Sequence, residues 1–146
     1  MSETEPIPRL LAAHKGESLP RLVKNITQEK INLYAQASGD FNPIHVDEDF
    51  ARKSPLGGTI AHGMLILSYI SQMMTITFGQ SWLSGGKLNV RFKEPARPGD
   101  VITVSGNIRN TEQEESEICV NCNVLCQNQK GEIVITGDSS VRLPRR

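Results

Sequence analysis

The chain has 146 residues, and its 16 Lys+Arg balance its 16 Asp+Glu, so the formal net charge is zero. That length suits one domain with a real core, and the charge balance argues against a general nucleic-acid binder, which carries a basic excess. Three cysteines, an odd number, argue against a disulfide framework.

Met1–His14 holds Glu3, Glu5, Pro6 and Pro8 and lacks the apolar run of a signal peptide, so a cytoplasmic protein is expected. Residues 1–15 read as an N-terminal arm, loose or adding a strand, and residues 16–146 as a single domain. Ser18–Ile26 alternates weakly and predicts a first strand. Thr27 is predicted to cap a helix running to about Ala37, with Ile31, Tyr34 and Ala35 as its apolar stripe and Gly39 as its end. Asp40–His45 is a turn, because a residue before proline disfavours the helical region and Asn42 precedes Pro43. Asp47–Lys53 reads as a short helix capped by Asp47, with Phe50 and Ala51 facing inward. Pro55-Leu56-Gly57-Gly58 is a flexible loop.

No formally charged residue occurs from Ser54 to Gly86. Within this segment, His62 to Phe78 predicts a helix of ~26 Å at 1.5 Å per residue, stopped by Gly79. Apolar side chains surround it on nearly all sides, which marks a buried helix or a membrane span. Ser68, Ser71, Gln72, Thr75 and Thr77 interrupt the pattern, so the helix is read as the buried axis of the fold, with no membrane span.

Strands follow. Lys87–Lys93 alternates, with Leu88, Val90 and Phe92 on one face and Lys87, Asn89, Arg91 and Lys93 on the other. Pro95 to Asp100 turns the chain into Val101–Ile108. Thr111–Ser116 is an acidic connection to Ile118–Cys126, and Asn128-Gln129-Lys130-Gly131 turns into Ile133–Val141. Strand alternation points Cys119 away from Cys122 and Cys126, and no histidine lies nearby. The three are therefore read as small hydrophobes, not metal ligands. A buried helix followed by an antiparallel meander is an α+β domain with the sheet wrapped around the helix.

The chemistry concentrates between Tyr34 and Met64. Ser38-Gly39-Asp40-Phe41-Asn42-Pro43-Ile44-His45 is a rigid turn holding two proton-transfer groups, Asp40 and His45, five positions apart. Ile60-Ala61-His62-Gly63-Met64 opens the long helix, where Gly63 leaves backbone N–H groups open to a ligand. A carboxylate, an imidazole and a helix start form a candidate acid–base site with a carbonyl polariser. The bland alternatives are an Asp40 that only bonds a turn N–H and a structural His45. A metal set of His45-Val46-Asp47 with His62 is set aside, because Asp47 serves as a helix cap. His62 is read as bracing the loop Pro55–Thr59.

These two segments resemble the signature of the MaoC-like hydratase family, the (R)-specific enoyl-CoA hydratases and 3-hydroxyacyl dehydratases. The pattern is S/A-x-D-x-N-P-x-H, then an acidic residue and a short helix, then hydrophobic-x-H-G-M. The likeness extends more weakly through the strand pattern over residues 16–143. It implies the hot-dog fold, with the antiparallel sheet curled around a long central helix, in a homodimer with sites near the subunit interface. It implies catalytic roles for Asp40, His45 and Gly63, substrate contacts from Asn42, Ser71 and His62, and no cofactor or metal. The implied reaction is reversible hydration of a trans-2-enoyl-CoA to the (R)-3-hydroxyacyl-CoA. Dehydration of an acyl-carrier-protein substrate, thioester hydrolysis and a non-catalytic acyl-binding partner subunit stay open. Lys87, Arg91 and Lys93 are a solvated face or a landing strip for coenzyme A phosphates or an acidic carrier protein.

Overall fold

The computed structural model describes residues 15–145, so the expected arm falls almost wholly outside the described residues. In chain order the elements are β1 (Leu22–Asn25), α1 (Gln28–Ser38), α2 (Pro43–Val46), α3 (Glu48–Lys53), α4 (Gly63–Phe78) and α5 (Gln80–Gly85). Then come β2 (Lys87–Phe92), β3 (Val101–Gln113), β4 (Glu117–Gln127) and β5 (Ile133–Pro144). Local chemistry sets the first boundaries. Thr27 accepts from the Lys30 N–H at 3.1 Å, and Gly39 closes α1 at φ 77°, a left-handed position that favours glycine. Asp47 accepts from the Phe50 N–H at 3.1 Å and caps α3.

All strand pairs are antiparallel, in the order β1-β3-β4-β5-β2. The sheet wraps around α4, which packs against β3, β4 and β5, and the α+β, hot-dog expectation is met. Leu65, Ile66, Ile70, Met73, Met74 and Phe78 of α4 are buried against Ile102, Val104 and Ile108, Val120, Cys122 and Val124, and Ile135, Val141 and Leu143. Each such large apolar side chain contributes about 1.5–3 kcal/mol on leaving water. Two strand glycines let this happen. A Cβ on Gly106 would lie 3.2 Å from Met73 Cε, and one on Gly137 would lie within 2.2 Å of the Asn89 carbonyl oxygen. A methyl at either place would push helix from sheet or strand from strand.

Several expectations need correction. The first strand is shorter than Ser18–Ile26, and Ser18 makes only an isolated bridge to Asn107. β3 and β5 are longer than expected, because pairing continues through Gln113↔Ile118 and Glu117↔Pro144. The short helix α5 was not foreseen. Phe50 does not face inward: it is 51% exposed, while Ala51 is fully buried. Helix α4 is not covered on all sides, for Met64, Ser68, Gln72 and Ile76, spaced by four, form an open stripe. No helix among the described residues is long and apolar enough to cross a membrane.

All three cysteines are buried and free. Burial pushes the Cys122 thiol up to about 11 and the Cys126 thiol up to about 12, so neither is a nucleophile at neutral pH. Cys122 and Cys126 join the core beneath the sheet, while Cys119 lies outside that cluster, as alternation requires.

Candidate active site

Asp40 follows directly on the end of α1, in a turn built from its own side chains. Ser38 Oγ accepts from the Asp40 N–H, Asp40 Oδ1 from the Asn42 N–H and Asn42 Oδ1 from the Ile44 N–H, each at 3.2 Å. Short polar side chains compete with helical bonding in this way and stop α1 from continuing. Pro43 then starts α2 with its φ already suited to a first helical position. One Asp40 oxygen is therefore used by the turn, as the bland reading required, and the other is left over. That second oxygen, Oδ2, lies 4.0 Å from His45 Nε2. The side chain of Asp40 is 53% exposed and that of His45 13%. Asn42 is exposed, with its Oδ1 engaged as the α2 cap.

The His45 ring is aimed by the segment before α4. Its Nδ1 lies 2.8 Å from the Ile60 carbonyl oxygen. A carbonyl only accepts, so Nδ1 carries the hydrogen and in the neutral ring Nε2 holds the free lone pair. The Ile60 N–H returns a bond to the Ile44 carbonyl at 3.2 Å. Gln28, which sequence reasoning missed, ties the pieces together. Its amide donates to the His45 carbonyl at 2.8 Å, and its Oε1 accepts from Thr59 Oγ1 at 2.6 Å. A glutamine in the first turn of a surface helix gives no sequence signal of this.

His62 is 2% exposed. Its Nε2 donates to the Asp40 carbonyl at 2.9 Å, so it braces the Asp40 turn and not the Pro55–Thr59 loop. Its ring stacks on His45 at 3.9 Å between centroids and 26° between planes, and Tyr34 lies tilted against it at 4.7 Å. Asp40, His45 and His62 bring potential ligand atoms within 4.8 Å of one another. This set does not fit a metal centre. Ring nitrogens bind metals in the ring plane at ~2.0–2.1 Å, and stacked rings hold their lone pairs side by side without converging. Asp47, weighed as a ligand from the sequence, is the α3 cap.

Gly63 is the first residue of α4, which has no side-chain cap, and its N–H meets no acceptor among the described residues. The Phe92 ring lies over it, with Cε1 2.9 Å from where a Cβ would be. Gly63, Phe92, Ile60, Ala61, Ile66 and Lys93 line part of a cavity of about 280 Å³. A larger hollow of about 360 Å³ lies elsewhere, beside Ser18, Arg21, Asn107 and Asn123, and none of these site residues lines it. Ser71 lies ~12 Å along α4 from Gly63 at 1.5 Å per residue. Its Oγ accepts from Trp82 Nε1 at 3.0 Å, which fastens α5 to α4. The structure thus groups Asp40, His45 and His62, leaves Gly63 next to His62 in the chain but in a cavity that neither Asp40 nor His45 lines, and ties Ser71 to Trp82. Phe92, read from the sequence on one strand face with Leu88 and Val90, is 53% exposed and roofs the helix start.

A sequence profile described as MaoC like domain matches residues 11–129. The chain belongs to the MaoC-like domain family. Among its MaoC-like relatives, the (R)-specific enoyl-CoA hydratase of Rhodospirillum rubrum is 32% identical over 127 residues, covering 86% of this chain and 85% of that one. The 3-hydroxyacyl-thioester dehydratase Z of Mycobacterium tuberculosis is 36% identical over 107 residues, covering 70% of this chain and 71% of its own. The solved (R)-hydratase of A. caviae superposes with a TM-score of 0.77 at 27% identity, over 91% of this chain and 98% of that one.

Proposed function

We propose that this MaoC-like chain catalyses the reversible addition of water to a trans-2-enoyl-CoA, giving the (R)-3-hydroxyacyl-CoA. The observation that carries the reading is the gap of 4.0 Å between Asp40 Oδ2 and His45 Nε2, joined through His62, which stacks on His45 and leads in the chain to the Gly63 N–H, unpaired among the described residues. Two acceptors facing each other at this distance suit one donor to both, and a water molecule is such a donor. The thioester oxygen accepts from the Gly63 N–H. The positive end of α4, about half a charge, draws electron density from C3. The water oxygen then bonds to C3, its proton passes to the Asp40–His45 pair, and C2 takes up one proton from that pair. The enolate charge rests meanwhile on the oxygen at Gly63. One water is added, and neither a metal nor a redox cofactor takes part. The stereochemistry rests on the hydratase relatives. Asn42, exposed next to the pair, and Ser71 are read as substrate contacts on the family resemblance. Lys93, which lines the cavity at Gly63, offers a charge to the coenzyme phosphates.

The test mixes purified protein with crotonyl-CoA. Loss of enoyl absorbance without free thiol supports the hydratase. Released thiol would mean a thioesterase, turnover of only a carrier-protein thioester would mean the carrier-protein dehydratase, and no reaction would favour a binding subunit.

The same reading places the chain in a homodimer. Among the described residues β2 is a sheet edge, bonded on one side to β5. Phe92 on that edge meets Gly63, where the open stripe of α4 begins at Met64, 55% exposed. An unpaired edge next to an apolar stripe needs covering. Sedimentation at micromolar concentration should give twice the 16.1 kDa of one chain. A stable 16.1 kDa species at high concentration would contradict it.

A further inference from the structure

We propose that His62 is a positioning residue of the site, whose Nε2–H fixes the Asp40 carbonyl and so sets the distance between Asp40 and His45. The proposal rests on the hydratase reading for its kinetic consequence, but not for its geometry.

The bonds inside the catalytic turn are local and exposed: Asp40 to Ser38, Asn42 to Asp40 and Ile44 to Asn42. Among the described residues, the bond from His62 is the one joining the Asp40 backbone to a buried side chain. His45 has separate anchors, the Ile60 carbonyl on its ring and Gln28 on its backbone. Without His62, the Asp40 half of the pair would hang from the end of α1 alone.

Packing does not account for a histidine here. Its Nδ1 is buried with no hydrogen-bond partner, the one such side-chain atom among the described residues. A buried polar atom without a partner destabilises a fold, so an apolar ring would serve packing better. The other nitrogen explains the choice. With the carbonyl of Asp40 as acceptor, the hydrogen sits on Nε2, and in the neutral ring Nδ1 holds the bare lone pair. The stacked pair therefore holds opposite tautomers, with hydrogen on Nδ1 in His45 and on Nε2 in His62. Each histidine fastens a different part of the site, and His62 also leads directly into Gly63. One buried residue thus holds the carboxylate turn and the imidazole by its ring and leads by its backbone into the polarising N–H.

Two variants separate the ring from its donor. His62→Gln keeps an N–H near the place of Nε2 and loses the stacked ring. His62→Phe keeps a ring and loses the donor. With crotonyl-CoA, His62→Gln should keep kcat within about fivefold. His62→Phe should lose about 10–10²-fold in kcat at nearly constant KM, as a misplacement of ~1 Å does. Equal losses in both variants, a loss carried by KM, or full activity in His62→Phe would overturn the proposal. Nitrogen NMR of the unmodified protein needs no turnover and should find His62 protonated at Nε2 with a bare Nδ1. The Asp40 carbonyl carbon should shift in His62→Phe and return towards its native position in His62→Gln. A His62 hydrogen on Nδ1, or an Asp40 carbonyl indifferent to His62→Phe, would overturn the proposal even in a protein without hydratase activity. Conversely, an inactive protein with the expected NMR signature would refute the hydratase reading and leave the positioning role standing.

Discussion

Asp40→Asn and His45→Gln are each expected to lower kcat by ~10²–10⁴-fold, and the double variant should be little worse than the poorer single one. Asp40→Asn keeps Oδ1 as the acceptor for the Asn42 N–H, so the turn survives. It replaces Oδ2 by an amide that donates towards His45 Nε2 and occupies the lone pair the water would need. His45→Gln removes the nitrogen facing Asp40 and with it the Nδ1–H bond to Ile60, which contributes on the order of 1 kcal/mol to stability. Thermal melting should move modestly in both, since Asp40 is half exposed and neither group belongs to the core. Near-additive losses would mean that the two groups act on different steps. An unfolded Asp40→Asn beside a fully active His45→Gln would reduce Asp40 to a turn brace and sink the mechanism.

Gly63→Val should leave a soluble protein with turnover reduced by ~10²-fold or more, the scale of losing one oxyanion donor. Its Cβ would lie 2.9 Å from Phe92 Cε1 and 3.1 Å from Cδ1. Phe92 is 53% exposed, so its ring can swing away and the fold need not yield. The valine methyls would then stand where the thioester must lie. Combining Gly63→Val with Phe92→Ala removes the collision without clearing the N–H. The double variant should therefore stay as inactive as Gly63→Val. Recovery would show that the displaced Phe92 was the obstruction, and near-normal turnover in Gly63→Val alone would place the carbonyl elsewhere.

Much of this site is legible in the sequence, because its geometry is local. Thr27, Gly39, Asp47 and Pro43 act within a few residues of where they stand, and their turn and cap chemistry could be read directly. Asp40 and His45 stand on one short turn, so their proximity could be read directly, though not the contacts that aim them. What periodicity could not supply was cover. It assigns Phe92, Met64 and Ile76 to apolar faces, yet each is about half exposed, because nothing among the described residues covers them. Phe50 failed for a related reason: in a helix of six residues, one small side chain, Ala51, is enough to dock it. Gln28, Thr59 and His62 form bonds across 17 to 31 positions of sequence, and no local pattern announces such partners. Helix α5 is short, lies between Gly79 and Gly86 and has no side-chain cap, so no start signal marks it in the sequence.

The sheet order also sets when each half of the site takes shape during synthesis. The hydrogen bonds that gather Asp40 and His45 join residues within 27–62, so they can form while the strands are still emerging from the ribosome. The roof over Gly63 cannot. Phe92 belongs to β2, and β2 is held by β5, whose partners run from Ile135 to Ser140. That pairing waits for nearly the whole chain and closes a loop of some forty residues, a slow, non-local step. The Asp40 turn thus rests on contacts between near parts of the chain and the lined pocket on distant ones. A nascent chain stalled before β5 would carry its proton-transfer pair beside an unroofed helix start.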